Sequence, residues 1–300
     1  MRYRVGVLSV AVVMLFSILS PVLFAQDAGQ IRGRGPGNGQ DEPQVRRPQA
    51  PALPTPHGPD GRVILGPLPG QTGLWNSVDA RISVPDVGVG RGPGGPPDAP
   101  RYPNLKYSEV PFQPWAKALF HYRLDNAFEP HTRCKPSSGP REIMSAYGIE
   151  FADIPDLKRI YILDQAGPHN WRTIYMDGRE HPKNLVPSYE GHSTGRWDGD
   201  TLVVDTIGYM EGFWMDREGS PHTEQLHLVE RFTRTDMNTL RYVVTVDDPG
   251  AYTAPWTGGF YLRWAPSTEL FEYVCQENNF APELMIGAEE SVNRTSRIVP

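Results

Sequence analysis

Gln225-Leu226-His227-Leu228-Val229-Glu230-Arg231-Phe232-Thr233-Arg234 alternates apolar and polar residues, and Leu240-Arg241-Tyr242-Val243-Val244-Thr245-Val246 follows after the turn residues Asp236-Met237-Asn238. Successive side chains of an extended chain point to opposite faces. The first run therefore sets Leu226, Leu228, Glu230 and Phe232 on one face and His227, Val229, Arg231 and Thr233 on the other. Two such runs joined by an Asx-rich turn read as a hairpin. On either side of this hairpin β-rich runs recur at 159–163, 171–176, 201–207, 260–264 and 270–276, and turn residues such as Asp177-Gly178, Asp198-Gly199-Asp200 and Asp248-Pro249-Gly250 separate several of them. Short strands in series without intervening helices predict a mainly β fold: an antiparallel meander forming a barrel or rolled sheet, lipocalin-like in outline.

The rest of the chain frames that sheet. Hydrophobic residues make up 39% of the 300, enough for one core, whereas 31 Pro and 30 Gly exclude a long helical bundle. A formal charge of −6, from 29 Lys+Arg against 35 Asp+Glu, leaves no dominant basic face for nucleic acid. Residues 26–103 hold 15 Pro and 15 Gly, too little apolar surface to offset their ordering entropy, and read as a largely disordered linker. Within it Val63-Ile64-Leu65 and Leu74-Trp75 are apolar enough to dock on the barrel-like domain, which is expected at 104–285 with a tail at 286–300. The expected N-terminal amphipathic helix spans 112–126, with Pro114 in its first turn and Trp115, Leu119 and Tyr122 on one face against the sheet.

Arg2 and Arg4 precede an apolar run from Val5 to Phe24 that ends at Ala25-Gln26, the layout of a signal peptide cleaved after Ala25. No later stretch approaches the roughly 20 apolar residues of a membrane span. The expected location is periplasmic or secreted. An oxidising compartment lets Cys134 and Cys275 pair, while two thiols are too few for a four-thiolate zinc site or an iron–sulfur cluster.

The run Gly191-His192-Ser193-Thr194-Gly195-Arg196-Trp197-Asp198-Gly199-Asp200-Thr201-Leu202-Val203-Val204-Asp205-Thr206 resembles the signature of a family of exported bacterial proteins. Flanking matches are Cys134-Lys135-Pro136, Ile174 to Pro182 with Glu180-His181-Pro182 at its end, Pro221-His222-Thr223-Glu224, and Asp247-Asp248-Pro249. The likeness spans about residues 60–278 and departs from the family at 60–75, which is longer and looser. It implies export and carries no catalytic assignment.

Chemistry therefore has to be read from the residues. Extending the 225–234 strand back to 222 puts His222 and Glu224 on the face of Glu230, among Leu226, Leu228 and Phe232. Ionisable groups among hydrophobes are destabilising unless paired, which marks them as candidate catalytic residues; the alternatives are structural pairing with Arg and a strand that starts later. His192, in a Gly-rich turn, is a candidate proton shuttle. Asp205 interrupts an apolar strand on the Val203 face and needs a partner such as Arg. Trp197, Tyr209, Trp214, Tyr252, Trp256 and Trp264 crowd the expected barrel mouths and could line a pocket for a small hydrophobic or aromatic molecule. No metal-ligand spacing and no nucleotide-cradling glycine pattern occurs, so no cofactor is expected. The reading that follows is an exported enzyme using cofactor-free acid/base chemistry, as lyase, isomerase or hydrolase, on an apolar or aromatic molecule in a barrel cavity. Its rivals are a carrier of the same shape and an envelope-associated structural domain.

Overall fold

The alternating 225–246 stretch forms a hairpin of β7 (His227–Asp236) and β8 (Thr239–Asp247), in register at Glu230 with Val244 and Phe232 with Tyr242. The computed structural model describes residues 52–77, 80–87, 101–126, 129–145, 147–165 and 171–275. Among these, β1 (Gly73–Ser77), β2 (Ile149–Ile154), β3 (Arg159–Asp164), β4 (Trp171–Tyr175), β5 (His192–Asp198), β6 (Thr201–Ile207) and β9 (Trp256–Pro266) join the hairpin in chain order, and β9 pairs with β1 to close a barrel.

Period-two alternation fills the barrel. Leu202 and Val204 of β6, Leu228 and Phe232 of β7, Tyr242 and Val244 of β8, and Phe260 and Leu262 of β9 are buried, together with Phe151, Ile160, Ile162 and Ile174 from the opposite wall. Aromatic rings meet edge to face across this core, Phe151 and Phe232 at 5.3 Å between centroids. Removing such residues from water at about 25 cal/mol per Å² is the main term holding the barrel closed.

The mainly β barrel agrees with the expected fold class, and several details differ. The meander is mixed: β4 and β5 run parallel, with Ile174 beside Ser193, so segment 176–191 must travel back the length of the strands. On that path Ser188 bridges Tyr209, and Leu185 packs where a side chain at Gly208 (φ +78°) would stand. Strand β1 comes from the stretch read as linker, so the folded unit starts well before residue 104, and Val63, Leu65, Leu74 and Trp75 are all buried. Strands β2 and β5 were not anticipated, and residues 270–275 form no strand. Helix α1 (Pro114–Asn126) lies where expected but buries Ala116 and Phe120, leaving Trp115 and Tyr122 exposed. A second short helix, α2 (Pro140–Ile143), is buried throughout.

Cys134 and Cys275 form a disulfide between the chain after α1 and the chain after β9. The expected signal peptide, residues 26–51 and the tail at 286–300 lie outside the described residues. No helix among the described residues is long and apolar enough to cross a membrane.

Candidate functional site

Two polar clusters grow from the wall shared by β4, β5, β6 and β7, one on each face. On the inner face Arg172 of β4 is fully buried. Its Nε donates to Ser193 Oγ at 3.0 Å, Nη2 donates to Thr206 Oγ1 at 2.7 Å, and Nη1 and Nη2 together grip both oxygens of Glu230. Tyr242 Oη donates to Glu230 Oε1 at 2.9 Å. Glu230 is thus matched by Arg inside the barrel, as a structural pairing would have it. Glu142 of α2 comes within 3.9 Å of Arg172 Nη1, and neither of its carboxylate oxygens accepts a hydrogen bond. Burial, then the nearby Glu190, pushes the Glu142 carboxyl well above its ordinary range; burial likewise raises Glu190 to about 7. Burial without a hydrogen bond thus disfavours the ionised form of Glu142.

On the outer face lies a chain of imidazoles. Asp205 of β6 points outward, and its Oδ1 accepts from His181 Nε2 at 3.1 Å and from His227 Nε2 of β7 at 2.9 Å. His181 arrives on the returning 176–191 segment, and its Nδ1 is 2.8 Å from Nδ1 of His192 on β5. When His181 gives its Nε2–H to the carboxylate and accepts at Nδ1, His192 donates from Nδ1. That leaves Nε2 of His192 with an uncommitted lone pair. The His192 ring stacks on Tyr175 at 5.1 Å, and the Arg179 guanidinium sits 4.0 Å from the same tyrosine centroid.

The electrostatics follow this wiring. The hydrogen bond from His227 holds the Asp205 carboxyl below its usual range, and the same bond raises His227. Burial, then His181 and Arg179, lowers His192, which favours the neutral ring that can take a proton. A proton captured at Nε2 lets Nδ1–H move toward His181, and Asp205 stabilises the resulting imidazolium. Among the described residues no group of three or more His, Cys, Asp or Glu is disposed to hold a metal ion.

His192 and Asp205 are thus brought into one chain by a residue read only as part of a motif, His181. The Asp205 partner is imidazole, not Arg. His192 stands on strand β5 and not in a turn. The other expected catalytic residues lie elsewhere. Strand β7 begins at His227, so His222 and Glu224 are loop residues off the Glu230 face, and Glu224 is exposed. His222 is buried, with Nε2 3.0 Å from the Phe213 carbonyl and Nδ1 3.3 Å from the Thr223 carbonyl, and burial lowers its pKa to about 4. Its surroundings are those of a packed neutral ring.

The aromatic residues do not converge on one pocket. Tyr209, Trp214, Tyr252 and Trp256 are buried; Tyr252 Oη donates to the Pro221 carbonyl at 2.8 Å, and Arg123 stacks on Trp214 at 4.9 Å. Trp264 packs edge-on against Trp75 at 5.0 Å. Trp197 lines an open cavity, at the other end of β5 from His192. Comparison with protein-family models, curated proteins and solved structures finds no match to this chain.

Proposed function

We propose that this protein is an exported enzyme that performs cofactor-free acid/base chemistry on a small apolar or aromatic molecule, with His192 as the residue that exchanges a proton with the substrate. The observation that carries this reading is the hydrogen-bonded chain from Asp205 through His181 to His192, with links of 3.1 and 2.8 Å and the outermost imidazole nitrogen uncommitted. Such a chain keeps His192 in one tautomer and one orientation while spreading the charge of a captured proton over a second ring and a carboxylate. His181 and Asp205 are positioning residues in this scheme. The Cys134–Cys275 disulfide supports an oxidising compartment, periplasmic or extracellular.

Hydrolysis of p-nitrophenyl acetate and of larger aryl esters provides the test. His192→Ala should lower kcat/KM by about 10²- to 10⁴-fold without unfolding the protein, as expected for loss of a general acid or base. The pH profile should rise through a limb below the ordinary imidazole value, and Asp205→Asn should move that limb further down, because the carboxylate favours the protonated ring. Turnover that is unchanged in His192→Ala overturns the reading.

A further inference from the structure

The barrel end opposite the imidazole chain holds a feature that this function does not use. Residues 58–69 fold over the mouth formed by β2, β3 and β5 and border an open cavity of about 630 Å³. That volume falls within the roughly 300 to 1,000 Å³ of small-molecule sites. Its walls are apolar, with Val63 from the covering segment and Phe151, Ile160 and Trp197 from the strands. Its polar groups sit together at one side: Asp60, Arg62 and Asp153.

The cover is fixed in place independently of any occupant. Trp75 Nε1 donates to the Leu65 carbonyl at 2.6 Å, and Arg234 Nη1 donates to the carbonyls of Ile64 and Gly66. A Cβ at Gly66 would lie 2.2 Å from the Phe151 carbonyl, so roof and floor touch there and only glycine permits it. At the other end His57 Nε2 binds Asp200 at 3.1 Å, across to the β5–β6 turn. A cavity held open by such contacts does not have to be ordered by its ligand, which favours affinity.

Charge selects the ligand. Arg62 Nε lies 3.5 Å from Asp60 Oδ2 and its charge also acts on Asp153, so the rim sets two carboxylates against one guanidinium. Asp153 forms no hydrogen bond or close ion pair among the described residues; partial burial pushes its carboxyl up, against the pull of the Arg62 charge. The carboxylate left in excess at the rim of an apolar cavity suits an ammonium group on an apolar body. We infer that this cavity binds a small flat hydrophobic amine, seated with its ring between Val63, Phe151, Ile160 and Trp197 and its cationic nitrogen at Asp153. The site is separate from the acid/base chain, because Trp197 projects to the opposite face of β5 from His192.

The test uses the full chain and two probes of one shape and opposite charge, 1-naphthylmethylamine and 1-naphthoate, titrated calorimetrically at 150 mM salt to screen the general negative charge. The amine should bind at least ten-fold more tightly than the carboxylate. Asp153→Asn, a substitution at an exposed rim, should remove that preference by weakening the amine about ten-fold while leaving naphthoate unchanged. Val63→Phe, which fills the cavity, should weaken both probes. Equal or tighter binding of naphthoate, an amine preference that survives Asp153→Asn, or no binding of either probe at millimolar concentration overturns the inference, whatever the enzyme's turnover.

Discussion

Arg172 illustrates how far a single residue commits this fold. Its guanidinium is fully buried and holds Glu230, Ser193 and Thr206 at once. Arg172→Met should destabilise by about 3 to 5 kcal/mol in urea unfolding, because it strands the Glu230 carboxylate in the core. Adding Glu230→Leu to that variant should recover much of the loss. Tyr242→Phe, which removes one donor to Glu230, should lose about 1 to 2 kcal/mol. Buried titratable groups also tilt stability with pH, in opposite directions. His222 has its pKa lowered to about 4, so between 6.5 and 4 the unfolded chain binds more protons and stability falls as pH falls. Glu190, raised to about 7, binds more protons in the folded state, so stability also falls as pH rises from about 4.5 to 7, and Glu142 acts in the same sense. Midpoints measured against pH should show His222→Gln flattening the acidic limb and Glu142→Gln flattening the alkaline one. At this scale the inward placement of Glu230 was legible from alternation alone. The Arg172 pairing was not, since nothing in a run read as Trp171 to Met176 says which strand it will face.

At the scale of elements, the hairpin of β7 and β8 and strand β6 were legible because their alternation is long and bounded by turn residues. Strand β5 was hidden by two glycines, Gly191 and Gly195, that read as a turn; Gly195 in fact lets Met176 and Ile174 approach the strand. Strand β1 was hidden by the prolines and glycines around it, and is held by pairing with β9 across five residues in register. The helix was legible in position and misread in facing. Phe120, stacked on Phe112 at 5.0 Å and edge-on to Tyr107 at the same distance, anchors it. Phe120→Ala should therefore destabilise by about 3 to 5 kcal/mol. Trp115→Ala should lose far less, since that ring is 46% exposed and its Nε1 holds only the Gly250 carbonyl. Thermal unfolding of the two variants side by side checks which face packs.

Across the whole molecule, the disulfide joins residues 141 apart in sequence, spanning every strand from β2 to β9. On the loop-entropy model this constraint contributes about 5 kcal/mol through the unfolded state. The guanidinium midpoint should fall sharply when both cysteines are replaced by alanine, and reductant should lower the wild type to the same value. The barrel class was legible because hydrophobic period and turn chemistry recur along the chain; the pair that closes it was not, because β1 and β9 are distant in sequence. One consequence of the strand count reaches the chemistry. Going round a closed ring of strands, direction can alternate everywhere only if the number is even. Nine is odd, so one neighbouring pair has to point the same way, and the chain cannot join that pair with a tight turn. It must send an arm back over the wall. In this molecule the odd pair is β4 and β5, and the arm it demands carries His181 to Asp205 and His192. A ring of eight alternating strands could close with hairpins alone and would have no such arm to bring the middle imidazole.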